Sequence, residues 1–237
     1  MMFLKAVSAA KTPGIVTSNL SLYLSAHNPN SYGGSGNTWT DLSTNANHGT
    51  LTNGPVYSSD NGGYIDFDGV NDFVTDDTTT GSPFNFGTGA FTTEYWVRYD
   101  ANVNDATHLD ARRRTSTSLG YSDFRDNGTL KFRVYSTVNL FTSTGTLSNN
   151  AWYHVVFSRT STSTNQTRFY INGALDTTTT LSASFGDYGA YYMARNVNAT
   201  PIYGNMKIAQ ARVYKGKGLT AAEVKQNYNA HRRLYGL

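Results

Sequence analysis

The sequence predicts an all-β protein, sheet packed on sheet, with one short helix at its C-terminal end, and three observations carry that prediction. Short runs rich in β-branched and aromatic residues recur along the chain, separated by clusters of Gly, Asn, Ser and Thr. Within 150–176 two such runs, 151–158 and 167–171, flank a Ser, Thr and Asn loop at 159–166, and Asn172-Gly173 then supplies the two positive-φ residues of a type I′ turn into Ala174 and Leu175. Helical spacing appears only after Thr220.

Residues 1–14 have no period and end at Pro13-Gly14, so they read as an N-terminal arm that is loose or ordered only by a partner. Residues 15–218 read as the sandwich. Leu20, Leu22 and Leu24 alternate with Ser21 and Tyr23 as a first strand; 27–37 is a Gly, Asn and Pro loop, followed by a segment at 38–42 and turns to Pro55. Residues 64–68 are strand-like, and Gly69-Val70-Asn71-Asp72 turns the chain into Phe73-Val74. Residues 75–89 read as polar loop. In 91–99, Phe91, Tyr95, Val97 and Tyr99 share one face while Glu94, Trp96 and Arg98 share the other. Residues 100–118 read as a long insertion carrying Arg112, Arg113 and Arg114. A strand is expected near 119–124, and Asp126-Asn127-Gly128 turns it into the alternating Leu130, Phe132 and Val134.

In the 150–176 stretch the first arm is apolar on both faces and must be covered on both, whereas the second puts Phe169 and Ile171 opposite Arg168 and Tyr170. Strands are also expected at 188–194 and 206–214, and the Thr runs at 78–80 and 177–180 are assigned to loops. Residues 219–237 form the helix and tail: Thr220 and Glu223 make a capping box, Leu219 and Val224 a hydrophobic staple, and Val224, Tyr228, His231 and Tyr235 one apolar stripe that docks on the sandwich.

Composition narrows the chemistry. The 237 residues suffice for one large β domain. The absence of cysteine removes disulfides, CxxC redox chemistry and thiolate metal sites. A net charge of +3 with scattered basic residues lacks the dense stripe that nucleic-acid binding requires. No apolar run reaches the roughly 20 residues of a membrane span, and the first residues lack a signal h-region, so no Sec export is expected.

Five blocks, YIDFDGVNDFV at 64–74, FTTEYWVRY at 91–99, AWYHVVFSR at 151–159, TRFYINGAL at 167–175 and KIAQARVYKGKGLTAAEVKQNY at 207–228, together resemble the concanavalin A-like lectin/glucanase fold in its laminin G-like branch. The resemblance implies a jelly-roll β-sandwich of two curved antiparallel sheets, with Trp96, Trp152 and Phe169 in the core. Similar stand-alone domains that open with a block like 14–43 occur among tailed-phage structural proteins. That implies a virion surface protein, a capsid decoration or a tail or fibre appendage, assembled in the host cytoplasm and touching other virion proteins through the N-terminal arm. A homo-oligomer and contact with host-surface glycans are expected on the same ground.

The related glucanases hydrolyse with two carboxylates from one strand. This chain has only two glutamates; Glu223 is explained by the capping box, and Glu94 is followed at i+2 and i+4 by Trp96 and Arg98. A non-catalytic role is therefore expected. His154, in a strand beside Tyr153 and Val155, reads as a core histidine. Glycan recognition in this fold pairs an aromatic ring with Asn, Asp or Arg, which makes Tyr121, Asp123, Arg125, Asp187, Tyr188, Tyr191 and Tyr192 the glycan-binding candidates. Calcium is the candidate cation, with Asp72, Asp123, Asp126 and Asp187 at expected turns as its ligands; Asp68 and Asn71 read instead as bonding their own turn backbone. Two other readings compete: a purely structural virion protein that binds no sugar, and a glycoside hydrolase of the glucanase branch.

Overall fold

The computed structural model describes residues 14–76, 84–101, 106–113, 116–135, 139–186 and 191–237. Its strands are, in order, β1 (Leu20–Ser25), β2 (Thr38–Trp39), β3 (Gly49–Thr52), β4 (Val56–Ser58), β5 (Tyr64–Asp68), β6 (Phe73–Asp76), β7 (Phe91–Tyr99) and β8 (Ala106–Arg113). They continue with β9 (Ser116–Asp126), β10 (Thr129–Val134), β11 (Asn139–Thr146), β12 (Trp152–Arg159), β13 (Thr167–Ile171), β14 (Ala174–Thr179), β15 (Tyr191–Met193) and β16 (Asn205–Lys215). Helix α1 (Ala221–His231) and a 3-10 turn at Arg232–Tyr235 close the chain.

Two eight-stranded sheets face each other. Sheet A runs β14-β13-β12-β7-β16-β5-β4, with β1 also paired to β16; sheet B runs β11-β10-β9-β8-β15-β6-β3-β2. Every ladder between these strands is antiparallel, so the expected two-sheet antiparallel sandwich is the architecture found. The core between the sheets is a ring stack: Phe132 lies on Phe157 at 3.8 Å and Phe86 on Phe91 at 4.2 Å, each pair within 5° of parallel. Arg159 reaches into this interior and donates to the carbonyls of Gly87, Gly89 and Ala183. Burial lowers its guanidinium to about 10, yet the three carbonyls satisfy its donors.

The outer face of sheet A is covered by the C-terminal segment, which explains why β12 is apolar on both faces. Trp96, Trp152 and Ala209 pack under Tyr228 and Tyr235, while Val156, Tyr170 and Tyr214 pack with Val16, Leu219 and Val224. Trp96 and Trp152 are thus buried beneath the helix rather than between the sheets; Phe169 is in the inter-sheet core as expected. The capping box forms as read from the sequence, with Thr220 accepting from the Glu223 amide and Glu223 accepting from Thr220.

Three expectations fail for polar reasons. The supposed insertion at 100–118 contains β8 and the start of β9, strands whose His, Asp, Arg, Ser and Thr residues gave no apolar alternation. The span 75–89 places Phe84 and Phe86 in the core. The Thr run at 177–180 is mostly strand, because β14 extends to Thr179 at the edge of sheet A. Residues 1–13 of the arm lie outside the described residues, and Gly14 receives a bond from Gln226 of α1. Among the described residues no helix is long and apolar enough to cross a membrane.

Candidate functional site

Residues that alternate outward on neighbouring strands make an open, polar basin. On β5, Ile65 and Phe67 point into the core, so Asp66 and Asp68 point out. The ladders set Asp66 beside Lys207, Asp68 beside Asn205, and Val56 beside Asp66. With Asn53, Gly54, Asp72 and Asp100 these residues line an open volume of about 510 Å³. Lys207 bridges Asp66 at 2.9 Å and Asp100, and Arg98 donates to Asp100 at 3.0 Å. Burial works against the Lys207 charge, but its bonds to Asp100 and Asp66 raise its pKa overall.

The four carboxylates are not equivalent. Asp68 Oδ1 accepts from the Val70 amide at 2.7 Å and so serves its own turn, as its position predicted. Asp72, 4% exposed, accepts from the Asp68 amide at 3.3 Å. Its carboxyl is raised, first by burial and then by the charges of Asp68 and Asp66, against the lowering effect of that amide bond. Asp100 spends one oxygen on Arg98 and the other on Lys207, while Asp66 spends one on Lys207; Asn53 and Asn205 add amides to the lining and Val56, 64% exposed, adds an apolar wall. Such a surface accepts hydrogen bonds from hydroxyl groups and covers C–H faces at its edge. Of the sequence candidates only Asp72 falls here. The outward i, i+2 pair Asp66 and Asp68 in YIDFD was the available signal for the rest.

The other candidates lie elsewhere. Tyr121 and Tyr191 are fully buried in the inter-sheet core, and Asp123 and Arg125 are only 4% and 2% exposed. Asp123 accepts from Tyr95 at 3.0 Å and faces His108 at 3.5 Å, while His108 also meets the Tyr99 hydroxyl. Arg125 donates to Leu147 and stacks over Tyr99. These four side chains are corrected from the rim to the interior, because Tyr121, Asp123 and Arg125 share the inward face of β9 and Tyr191 is inward on β15. Tyr192 turns to the outer face of sheet B, against Phe73 and Arg195. Asp187 and Tyr188 lie outside the described residues, as does Arg114. As metal ligands, Asp123 is inward, and Asp126 pairs with Lys131 at 3.1 Å in the β9–β10 hairpin. Among the described residues no three His, Cys, Asp or Glu side chains are grouped to hold a metal ion.

Glu94, the glutamate that the capping box does not explain, is fully buried beneath α1. Arg212 pairs with it, the His154 Nε2–H donates to it at 2.9 Å, and Asn227 donates at 2.7 Å. Burial pushes the carboxyl up, but Arg212, His154 and Asn227 outweigh it and hold the group at about 2. No second carboxylate joins this cluster among the described residues, so the acid–nucleophile pair that glycoside cleavage requires is not assembled there.

No curated protein matches the chain. Solved structures do. Domain 4 of AbnA, an extracellular arabinanase from Geobacillus stearothermophilus held in complex with arabinotriose, superposes with a TM-score of 0.67 at 17% identity, over 89% of this chain and 98% of that domain. Botulinum neurotoxin type C, whose cell entry depends on two ganglioside molecules, gives 0.69 at 14% identity over 90% of this chain and 51% of that one. Trypanosoma rangeli sialidase gives 0.66 at 18% identity over 93% and 34%. This chain spans about half the length of several of the chains it matches, the neurotoxin among them, and at these identities the likeness is one of fold. The laminin G 3 model of the concanavalin A-like lectin/glucanases superfamily matches residues 68–225, about two thirds of the sequence. That match and the two-sheet sandwich make this chain a member of the concanavalin A-like lectin/glucanases superfamily, in its laminin G branch.

Proposed function

We propose that this protein is a non-catalytic, lectin-like carbohydrate-binding module and that the Asp66, Asp68, Asp72 and Asp100 basin receives the sugar. The observation that carries the reading is the basin itself: outward carboxylates and amides converge on an open volume of about 510 Å³, suited to the hydroxyls of one or two sugar rings. The carbohydrate ligands and receptors named for the arabinanase domain and the neurotoxin support the choice of ligand class. A glycan array, run with and without calcium, tests it. Binding of at least one glycan family is expected, and Asp66→Asn should weaken it about tenfold, the worth of one charge-assisted hydrogen bond. No binding under either condition overturns the reading and favours the purely structural alternative.

The virion placement rests on the resemblance of the opening block to stand-alone domains of tailed phages. In that setting the module sits on the particle surface as a decoration or tail appendage, and residues 1–14 engage other virion proteins. Deleting residues 2–14 should abolish incorporation into particles while leaving glycan binding intact; unchanged incorporation removes the arm from this role.

A further inference from the structure

On the outer face of sheet B stands a cation whose charge no side chain answers among the described residues. The guanidinium of Arg195 lies 4.9 Å from the Phe73 ring centre, 5.0 Å from Tyr192 and 5.8 Å from Tyr203. Its Nε is buried with no hydrogen-bond partner. Arg98 ends on Asp100, Arg125 on Leu147, Arg159 on three carbonyls and Arg212 on Glu94, whereas Arg133 and Arg232 also lie over rings but without a buried, unpartnered Nε. Arg195 meets only rings among the described residues. Aromatic faces stabilise a cation by about 0.5–2 kcal/mol, but they leave its N–H donors unused.

The backbone that carries Arg195 is fixed rather than slack. Ala194 adopts φ +58, a left-handed conformation costly for any residue with a Cβ, and it is fully buried. The residue is held there by bonds from its amide to Thr107 and from the Gly204 amide to its carbonyl, at 3.0 and 2.8 Å. Arg195 then bridges Tyr203, and the Asn196 carboxamide ties the loop by accepting from Asn198 and Ile202. The strained residue reverses the inward–outward alternation of β15 and delivers the next side chain to the outer face. A guanidinium set in place this way, with planar faces covered and donors unspent, is preorganised for a planar or tetrahedral oxyanion.

We infer that Arg195, framed by Phe73, Tyr192 and Tyr203, is the receptor for the oxyanion of an acidic glycan, the carboxylate of a sialic or uronic acid or a sulfate ester. For the ligand class this rests on the carbohydrate reading above. The two places are linked through the backbone: Phe73 follows Asp72 and pairs with Thr52, the neighbour of Asn53 in the basin, and Tyr203 is two residues from Asn205. The carboxylates of the basin repel an anion, so the acidic group of a bound glycan is directed to Arg195 while neutral hydroxyls meet the basin.

The test uses the full chain against three matched sets of immobilised glycans: neutral oligosaccharides, the same cores bearing a sialic or uronic carboxylate, and the same cores bearing a sulfate. The wild type should retain one acidic set at least tenfold better than the neutral cores at low salt, with the margin shrinking at 0.5 M salt. The set preferred names the oxyanion. Arg195→Gln should remove that preference and keep neutral binding; Arg195→Lys, which keeps the charge but not the fork, should retain part of it. Thermal melts confirm that both variants fold, and the lysine variant stands in if the glutamine variant does not. Neutral binding without acidic preference in the wild type overturns this inference and leaves the lectin reading intact. So does an undiminished preference in Arg195→Gln. Absence of binding to all three sets overturns both.

Discussion

Glu94 is fully sequestered under the helix, and its negative charge persists there because Arg212, His154 and Asn227 all face it. Replacing one member of such a pair leaves the other charged in a dry site, which typically costs 3–5 kcal/mol. Glu94→Gln should therefore lower the unfolding free energy by about 4 kcal/mol in urea titration. A double variant, Glu94→Gln with Arg212→Met, should recover part of that loss because no lone charge remains. Equal losses in both variants would mean that the pair is not coupled. The sequence showed Glu94 opposite Tyr95 and Val97, and the side that faced solvent or helix depended on where residues 219–237 came to rest. Tyr121 and Asp123 show the same limit: alternation separates the two faces of a strand, but it names the inner one only when one face is clearly apolar, and β9 has a ring beside charge on each, Tyr121 with Asp123 and Arg125 on one and Phe124 with Asp126 on the other.

At the scale of elements, the turn at Asn172-Gly173 and helix α1 act as one unit. Asn172 and Gly173 both take positive φ, 52° and 72°, as the turn type requires, and Asn172 also accepts from the His154 amide. A Cβ on Gly173 would come within 2.8 Å of Tyr228, so the helix packs against the bare turn. Gly173→Ala combines a strained φ with overpacking and should cost about 2–3 kcal/mol, with near-ultraviolet dichroism reporting the displaced tyrosine. Thr220→Ala removes only the cap and should cost about 1 kcal/mol. A Gly173→Ala variant as stable as the wild type would detach the turn from helix docking. These elements were legible because their signals are local: a dipeptide for the turn, a four-residue box for the cap. Strands β8, β11 and β14 were not, since their Thr, Ser and Arg residues are selected by partners across the sheet rather than by any period of their own. The basin was half legible, because YIDFD shows its outward aspartates while Asp100, Asn205 and Lys207 arrive only through the pairing of β7 and β16.

For the whole molecule, the layer of helix on sheet A makes stability depend on acid. Burial first, and then the Arg212 charge, lowers His231 to about 3 from its ordinary 6.5, so the folded protein keeps it neutral. An unfolded chain takes up that proton below 6.5. The stabilisation is thus complete above 6.5 and is lost as the pH falls toward 3. Glu94, held at about 2 against an ordinary 4.5, adds a loss of the same sign as the pH drops from 4.5 toward 2. Asp72, raised by burial and by Asp68 and Asp66, works the other way, but it stands at the basin and does not touch the helix. Between pH 6.5 and 4.5 His231 acts before Glu94 does. The melting temperature should fall by roughly 5 °C over that interval in the wild type. His231→Asn, which takes up no proton, should melt lower at neutral pH and show a flatter profile down to 4.5, joining the wild-type slope only where Glu94 begins to protonate. A variant profile parallel to the wild type across the whole interval would assign the acid sensitivity to groups other than His231.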